Sequence, residues 1–368
     1  MPKHLIFYRG PLERSRLSFI IEAVQQEGVQ LSFMWIFPGR LTEKKKEHAF
    51  EFLKQYPFDQ IIFRGEGFSK WLQTNIAFRN LMKLNVFSQV YLVGFSAPLF
   101  ALHKGNSKRI WFINGIPEEK EMQGVNLFHK LLAGFLWKMQ GWASKCSLVV
   151  TVSSRMSQYV IRRTGIKNLF YAPTCTDLEL FRPKQETVRK YFTYLGSGAA
   201  WQALDLLEAV WYEIHKQDSS ILFQVISRDE RCKVLGHRIA KENIRFVSSS
   251  NFSEVASFLH ESEVGFLLRK DSIVNKVCFP TKLGEYLASG SWVVSTTLDW
   301  DLADLYKQYN VGILVNPSEL PAAIAKSIIE YKKAIDINEV NLCIDQASNS
   351  LERKQWVNKL RQQVQNIL

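Results

Sequence analysis

The sequence predicts an α/β protein built from two successive doubly wound domains. Short apolar runs alternate with stretches of helical period along most of the 368 residues. The alternation stops at a polar stretch, residues 181–186, and then starts again. A hydrophobic content of 46% allows a large core, and a chain of this length is expected to form two domains.

The first domain is predicted at residues 1–183, with strands and helices in alternation. Its candidate strands are residues 4–8, 31–36, 60–63, 90–93, 109–113 and 147–151. Its helical patterns are residues 13–26, 42–55, 69–83, 124–145 and 154–164. This order is typical of a parallel sheet with helices on both faces.

The second domain is predicted at residues 184–348 and repeats the same order. Its candidate strands are residues 191–195, 221–226, 243–247, 263–268, 292–295 and 312–315. Its helices are residues 201–216, 230–240, 253–260, 282–289, 302–308 and 317–331. Residues 349–368 form a C-terminal helix, opened by Asn349 and Glu352 as a variant capping box. Two such domains would face a ligand cleft between the carboxyl edges of their sheets.

The positive charge of the chain lies in its first half. Residues 1–185 carry 26 Lys and Arg against 13 Asp and Glu, a balance of +13, whereas residues 186–368 carry 21 against 22. This asymmetry indicates an anionic partner for the first domain, such as a membrane surface, a lipid phosphate or a nucleic acid. The helix at 69–83 and the run at 128–138 have apolar sides with basic edges. Interfacial helices show this pattern, but so do core helices, and the core is favoured for either helix alone. No nucleic-acid-binding signature is present, so we expect no nucleic acid partner.

The cysteines and histidines indicate neither a disulfide framework nor a metal site. The 5 cysteines are widely spaced and form no C-x-x-C motif, which fits a reducing cytoplasm. The histidines have no metal-ligand spacing, and the N-terminal apolar run is too short for a signal peptide. We therefore expect a cytoplasmic protein that binds no metal and no cofactor.

Residues 279–295 carry the strongest functional pattern. Pro280 blocks a helix upstream, Thr281 can cap the helix that follows, and Gly290 fits its end. Lys282 and Glu285 share one face of its first turn. A helix N-terminus beside a lysine attracts phosphate, and a carboxylate can accept two ribose hydroxyl protons. The segment therefore predicts a nucleotide diphosphate site; the alternative is an ordinary amphipathic helix with a surface lysine and glutamate.

This segment resembles the donor-site helix of GT-B glycosyltransferases, especially the large retaining family 4, with the pattern P-x-K-x-x-E-Y-L-A-x-G. Residues 147–154 resemble the strand that closes the first domain of that family, and residues 171–183 resemble its crossing between domains. Residues 268–275 resemble the L-R-x-x-S-x-V-N pattern of a capsule-type subgroup. The resemblance implies a GT-B fold, with a C-terminal helix that crosses back to the first domain. It also implies that Glu285 holds the donor ribose and that Lys282 lies near the diphosphate.

The chain departs from the family where phosphate is usually bound. The family's Arg and Lys after the first strand of the second domain are replaced, because Gly196, Ser197 and Gln202 occupy that loop. We expect Arg269, with its bidentate fork, to be the main phosphate clamp, together with Lys282. The donor-binding set is completed by Gly196, Ser197, Asn275, Thr281 and Leu283.

In the first domain we expect Gly10, Arg14, Asn114 and Glu118 on the sugar and acceptor side. Gly10 permits a tight turn and Arg14 suits an anionic ligand. Asn114 takes the place of the family's histidine and can bond a sugar hydroxyl. Glu118 faces the cleft or opens the following helix, and the sequence favours neither.

These patterns predict a glycosyltransferase that moves a sugar from a nucleotide-sugar donor, a UDP- or GDP-sugar, to a lipid-linked or growing glycan acceptor. The resemblance implies a retaining, metal-independent reaction in bacterial surface polysaccharide synthesis, at the inner face of the membrane. Arg269, Lys282 and Glu285 would carry the chemistry. The alternative is a catalytically inactive GT-B-like scaffold or partner subunit, since the usual cations are missing.

Overall fold

The computed structural model describes residues 1–10, 14–37, 43–65, 68–102, 105–119, 127–144, 146, 148–183, 185, 187–298 and 300–367. The chain divides into two compact units. The first comprises Met1–Pro173 with Gln355–Leu368, and the second comprises Thr174–Lys354. The division falls before the expected position at residue 183, because the intervening segment packs in the second unit. Thr174 Oγ1, for example, donates to the carbonyl of Phe279 at 2.6 Å.

The first unit contains a parallel sheet with the strand order β3-β2-β1-β4-β5-β6-β7. The strands are β1 Lys3–Arg9, β2 Gln30–Phe37, β3 Phe58–Gly65, β4 Phe87–Val93, β5 Lys108–Ile113, β6 Leu148–Thr151 and β7 Leu169–Tyr171. The helices are α1 Arg14–Val24, α2 Glu43–Leu53, α3 Phe68–Leu84, α4 Ala97–Phe100, α5 Leu127–Ser144 and α6 Ser154–Thr164. The apolar run of β1 is continuous because helices cover both faces of the sheet, and Leu5, Ile6 and Phe7 are fully buried.

The second unit contains a second parallel sheet, with the order β10-β9-β8-β11-β12-β13. Its strands are β8 Tyr191–Leu195, β9 Leu222–Ile226, β10 Ile244–Val247, β11 Ser262–Leu267, β12 Trp292–Thr296 and β13 Gly312–Val315. Its helices are α7 Leu178–Phe181, α8 Leu204–Gln217, α9 Phe252–His260, α10 Ile273–Val277, α11 Thr281–Ala288, α12 Asp301–Gln308, α13 Pro321–Ala334 and α14 Ile337–Ser350, followed by α15 Arg353–Gln365. The predicted α/β doubly wound architecture is confirmed in both units.

Two predicted helices differ in the structure. The helix expected at residues 230–240 is only a 3₁₀ turn, Glu230–Val234, because Gly236 adopts a φ of 95° that ends helical geometry. The helix expected at 349–368 begins at Arg353, as α15, and the preceding helix α14 was not predicted. Asn349 lies in the last turn of α14 instead of opening a helix, and Glu352 Oε1 accepts from the backbone N–H of Lys354 at 2.9 Å. The capping-box prediction was therefore wrong.

The C-terminal residues belong to the first unit, as the resemblance implied. Arg361 Nη2 donates to the carbonyl of Glu22 at 2.7 Å, and the ring of Trp356 lies 5.8 Å from that of Tyr171. Lys108 also donates to the carbonyl of Ile367. Among the helices that the structure describes, none combines the length and apolar character needed to cross a bilayer.

Candidate functional site

A cavity of about 840 Å³ lies in the second unit at the carboxyl ends of β8 and β9. Its wall includes the loop after β8, the turn after β9 and the first turns of α11. Four residues of the predicted donor site line it together, namely Gly196, Ser197, Lys282 and Glu285. Ligands of doubly wound folds bind at this edge of the sheet.

Helix α11 begins one residue earlier than predicted, at Thr281 instead of Lys282. Pro280 is the N-cap, no side chain caps it, and Thr281 is already the first helical residue. The predicted cap by Thr281 was therefore wrong. Leu283 is fully buried and its backbone N–H donates to the carbonyl of Pro280 at 3.1 Å. Leu283 thus helps to close the first turn, and its expected contact with the donor is not supported by the geometry.

Lys282 and Glu285 form an ion pair on the cavity side of α11. Lys282 Nζ lies 2.9 Å from Glu285 Oε2 and 3.3 Å from Oε1. The side chain of Glu285 is 5% exposed and that of Lys282 is 33% exposed. An ionised carboxylate has about four lone-pair directions, so Glu285 keeps the capacity to accept ribose hydroxyls while it is paired.

Tyr286 fixes this helix to the loop that forms the opposite wall. The Tyr286 hydroxyl donates to the carbonyl of Thr193 at 3.1 Å and accepts from the backbone N–H of Leu195 at 2.6 Å. Both partners lie within β8, and Leu195 directly precedes Gly196 and Ser197. The spacing between α11 and this loop is therefore set by a buried side chain of α11 itself.

Arg269 lies two residues after the end of β11, is 7% exposed, and is not among the residues that line the cavity. Its backbone N–H donates to Thr296 Oγ1 at 3.1 Å, and Nη1 donates to Asn275 Oδ1 at 3.4 Å. No carboxylate of the described residues pairs with it, and its Nε is buried without a hydrogen-bond partner there. The positive charge of Arg269 acts on a residue beside the loop after β8. Burial raises the pKa of Tyr194, whose hydroxyl donates to the carbonyl of Ser197, and the charge of Arg269 opposes that rise.

Asn275 has a structural position instead of the expected contact with the donor. It is fully buried, and its Nδ2 donates to the carbonyls of Trp201 at 3.0 Å and Lys270 at 2.7 Å. Both amide protons are thereby used. Asn275 connects the segment before α8 to the segment after β11, and through Oδ1 it supports the guanidinium of Arg269.

The turn after β9 contributes residues that the sequence reasoning missed. Asp229 Oδ2 accepts from the backbone N–H of Gly198 at 2.8 Å, which ties this turn to the β8 loop. The hydrogen bond from Arg231 holds the pKa of Asp229 well below its usual range. Arg228, Ser249 and Phe252 also line the cavity. The polar residues that follow the apolar strand β9 in the sequence could have indicated this wall of the cavity. They were instead assigned in part to the helix expected at residues 230–240.

A second cavity, of about 530 Å³, lies in the first unit at the carboxyl ends of β1, β4 and β5. Of the predicted sugar-side residues, Gly10 and Asn114 line it. The side chain of Arg14, at the start of α1, lies outside the described part of the chain. The walls are largely apolar and include the rings of Tyr8, Phe95 and Phe100.

Arg9 is a cavity residue that the sequence reasoning did not select. Its guanidinium carbon lies 4.3 Å from the centre of the Phe100 ring, and Nη1 donates to Ser96 Oγ. The strand order explains its position. Successive strands are added on one side of β1 up to β3 and on the other side from β4 onwards, and ligand sites form where the order reverses in this way. This order could not be derived from the sequence alone.

Glu118 does not line this cavity, and the expectation that it contacts a sugar is corrected. It is buried, and its Oε1 accepts from Trp137 Nε1 at 3.0 Å and from the Tyr159 hydroxyl at 2.6 Å. Arg163 Nη2 lies 3.4 Å from the same oxygen. Burial, together with this carboxylate, raises the pKa of Tyr159 to about 12. Glu118 therefore joins the turn after β5 to α5 and α6.

The second unit matches a known protein family. Residues 189–333, within the second unit, match the family model described as Glycosyl transferases group 1. The predicted resemblance is thereby confirmed over these residues. Among curated protein sequences no significant match is found.

Several solved structures share the fold over the whole chain. Sucrose-phosphate synthase from Thermosynechococcus elongatus is 12% identical with a TM-score of 0.72, covering 100% of this chain and 99% of its own. HepE of Anabaena, in complex with UDP and glucose, is 11% identical with a TM-score of 0.72, covering 100% of both chains. A glycosyltransferase from Rickettsia africae is 12% identical with a TM-score of 0.69, covering 100% of this chain and 98% of its own. At this identity the likeness establishes the GT-B fold.

Proposed function

We propose that the chain is a glycosyltransferase that binds the nucleotide part of a nucleotide-sugar donor in the second-unit cavity. The observation that carries the proposal is the buried guanidinium of Arg269, which has no carboxylate partner among the described residues. A buried cation is costly unless an anion compensates it. A donor diphosphate would supply that anion if it extended from Lys282 and the uncapped start of α11, at the cavity, to Arg269 at the end of the neighbouring strand β11.

The same groups suit the departure of a nucleoside diphosphate. As the sugar–phosphate bond breaks, charge develops on the leaving phosphate oxygens, and donors held in place before the reaction stabilise that charge without reorganisation. Arg269 and Lys282 are such donors, while Glu285 orients the ribose. We propose a retaining reaction that needs no metal, in which the leaving phosphate takes the proton of the acceptor hydroxyl.

The donor is proposed to be a UDP- or GDP-sugar. HepE, one of the similar structures, binds UDP and glucose, which favours the uridine nucleotide. The proposed acceptor is a lipid-linked or growing glycan in the synthesis of a bacterial surface polysaccharide. The mainly apolar cavity of the first unit, with Arg9 in its wall, is suited to such an acceptor.

We also propose that the first unit associates with the anionic inner face of the cell membrane. On α3 and α5 the apolar side chains divide between core and surface: Phe78 and Trp137 are buried, whereas Phe135 is 59% and Trp142 63% exposed. Leu72 and Ile76 of α3 are also exposed. Exposed apolar side chains on a basic unit are typical of interfacial binding. Sedimentation with phosphatidylglycerol vesicles tests this, because F135S/W142S should reduce binding and phosphatidylcholine vesicles should bind little.

Thermal stabilisation by nucleoside diphosphates tests the donor site. We expect one of UDP, GDP, ADP and CDP to stabilise the protein clearly; at 100 times its dissociation constant it adds about 2.7 kcal/mol. Glu285→Ala should abolish this effect. Glu213→Ala is the matched control, since Glu213 pairs with Lys216 three residues on in α8, at 3.0 Å.

The result also separates the two candidate functions. Stabilisation that is lost in Glu285→Ala and kept in Glu213→Ala supports a donor site. No stabilisation by any of the four nucleotides would favour the inactive scaffold, in which the Arg269 segment has only a structural role.

A further inference from the structure

The wall of the first-unit cavity contains an asparagine that is held by a buried arginine. Arg16 of α1 donates from Nε to Asn114 Oδ1 at 3.1 Å and from Nη1 to the carbonyl of Pro173 at 3.2 Å. Its guanidinium carbon also lies 4.8 Å from the centre of the Phe19 ring. These contacts fix the guanidinium beside Asn114, which lines the cavity.

This contact determines which atom Asn114 presents to a ligand. A guanidinium can only donate hydrogen bonds, so the amide atom that faces Arg16 must be the carbonyl oxygen. The Nδ2 group therefore points away from Arg16, and no described residue accepts a hydrogen bond from it. Asn114 is thus held as a donor.

A carboxylate lies in the same wall. Glu119 lines the cavity, and its Oε1 accepts from the backbone N–H of Ile116, two residues after Asn114, at 3.3 Å. A carboxylate can accept several hydrogen bonds. A donor beside a carboxylate matches a hydroxyl group, which both accepts and donates, whereas the carboxylate opposes a phosphate at this point of the wall. The cation Arg9 of the same wall contacts Phe100 and Ser96.

We propose that Arg16 is a positioning residue. It holds Asn114 so that Nδ2 donates to the oxygen of a neutral sugar hydroxyl, whose proton is donated to Glu119. The proposal rests on the glycosyltransferase function proposed above. The hydroxyl belongs either to the glycosyl group of the donor or to the acceptor glycan, and kinetics distinguish these sources.

The first test needs no turnover. The side-chain amide signals of Asn114 are recorded in ¹⁵N-asparagine-labelled protein and assigned with Asn114→Asp. Arg16→Met should move or broaden them. Arg109→Met is the matched control, because the Arg109 guanidinium likewise donates two hydrogen bonds, to the backbone carbonyls of Ala143 at 3.2 Å and Ala101 at 2.9 Å. It should leave the signals in place.

Two simple probes test the ligand chemistry in the same spectra. Methyl α-glucoside should shift the Asn114 amide signals of the wild-type protein, and inorganic phosphate should not. Signals unchanged in Arg16→Met would overturn the role of Arg16. A shift with phosphate alone, or none with the glucoside at high concentration, would overturn the hydroxyl assignment.

A double-mutant cycle then tests whether Arg16 acts through Asn114. With the nucleotide-sugar that the wild-type protein turns over, Arg16→Met and Asn114→Ala should each lower kcat/KM about tenfold, and the double variant should fall no further. Additive losses contradict the proposal. A raised KM for the nucleotide-sugar assigns the hydroxyl to the donor, and a raised acceptor KM assigns it to the acceptor. If no nucleotide-sugar is turned over, the proposed function fails, while the amide signals still decide the role of Arg16.

Discussion

Gly284, in the middle of α11, has no space for a side chain. A Cβ atom placed there would lie 1.9 Å from Thr176 Oγ1 and 3.0 Å from Thr176 Cβ. Thr176 cannot easily retreat, since its N–H donates to the carbonyl of Leu351 and its carbonyl accepts from the N–H of Arg353, both at 3.0 Å. Gly284→Ala therefore forces α11 to move relative to this segment.

The expected loss follows from two opposing effects. Overpacking of a dense core costs about 1–3 kcal/mol, and a contact this short belongs at or beyond the upper end of that range. Alanine is favoured over glycine in a helix by about 1 kcal/mol. We therefore expect Gly284→Ala to lower the free energy of unfolding by about 2 kcal/mol, or Tm by roughly 4–8 °C for a domain of this size.

Calorimetry of the full chain measures this change, and two further variants identify its cause. Gly134→Ala replaces another helical glycine, whose Cβ would have no atom within 4 Å, so it should be neutral or slightly stabilising. Thr176→Ala removes the Oγ1 atom, which is buried without a partner among the described residues. Combined with Gly284→Ala, it should restore most of the stability that Gly284→Ala alone loses. Wild-type stability in Gly284→Ala, or no recovery in the double variant, would refute the packing argument.

Three further predictions concern buried polar groups. Burial lowers the pKa of His4 from 6.5 to about 4. The contribution of the neutral His4 to stability is therefore complete above pH 6.5 and is lost as the pH falls towards 4, by at most about 3 kcal/mol. His4→Gln should make the free energy of unfolding, measured by denaturation at several pH values, depend less on pH in this range. Glu118→Ala leaves two buried donors without an acceptor and should cost about 3 kcal/mol in urea unfolding, whereas Glu118→Gln should cost less. Arg269→Met should preserve or raise the Tm of the nucleotide-free protein and abolish stabilisation by nucleotide, and a large drop in that Tm would contradict the absence of a buried ion-pair partner.

The sequence could predict the elements whose signal is local. The buried strands appear as continuous apolar runs, so β1, β8 and β12 begin and end within about two residues of their predicted bounds. Short elements such as β7, α4 and α10 were missed, because three to five residues are too few to show a period. The segment at 230–240 failed for another reason, since its helical pattern is interrupted by Gly236 in a left-handed conformation.

The residues of the candidate sites also divide into those that local sequence predicts and those that depend on the tertiary structure. Lys282 and Glu285 are three residues apart, so their shared face follows from helical geometry alone. The wall formed by Arg228 and Phe252 depends on which strands are neighbours, and strand order is a property of the tertiary structure. Glu118 shows the limit most clearly, because nothing local distinguishes a carboxylate facing a ligand from one that accepts from Trp137 and Tyr159.

Most residues of the α11 motif serve packing, and only some of them serve chemistry. Of its residues, Gly284 allows contact with Thr176, and Tyr286 fixes the helix to β8. Leu287 and Ala288 are buried in the core. Of the motif residues, only Lys282 and Glu285 line the cavity, so the other residues of the motif position this pair. The phosphate-binding cation is different, because Arg269 comes from another strand and Asn275 supports it. The loop after β8 can therefore lack both of the family's cations while the same edge of the sheet retains a buried guanidinium.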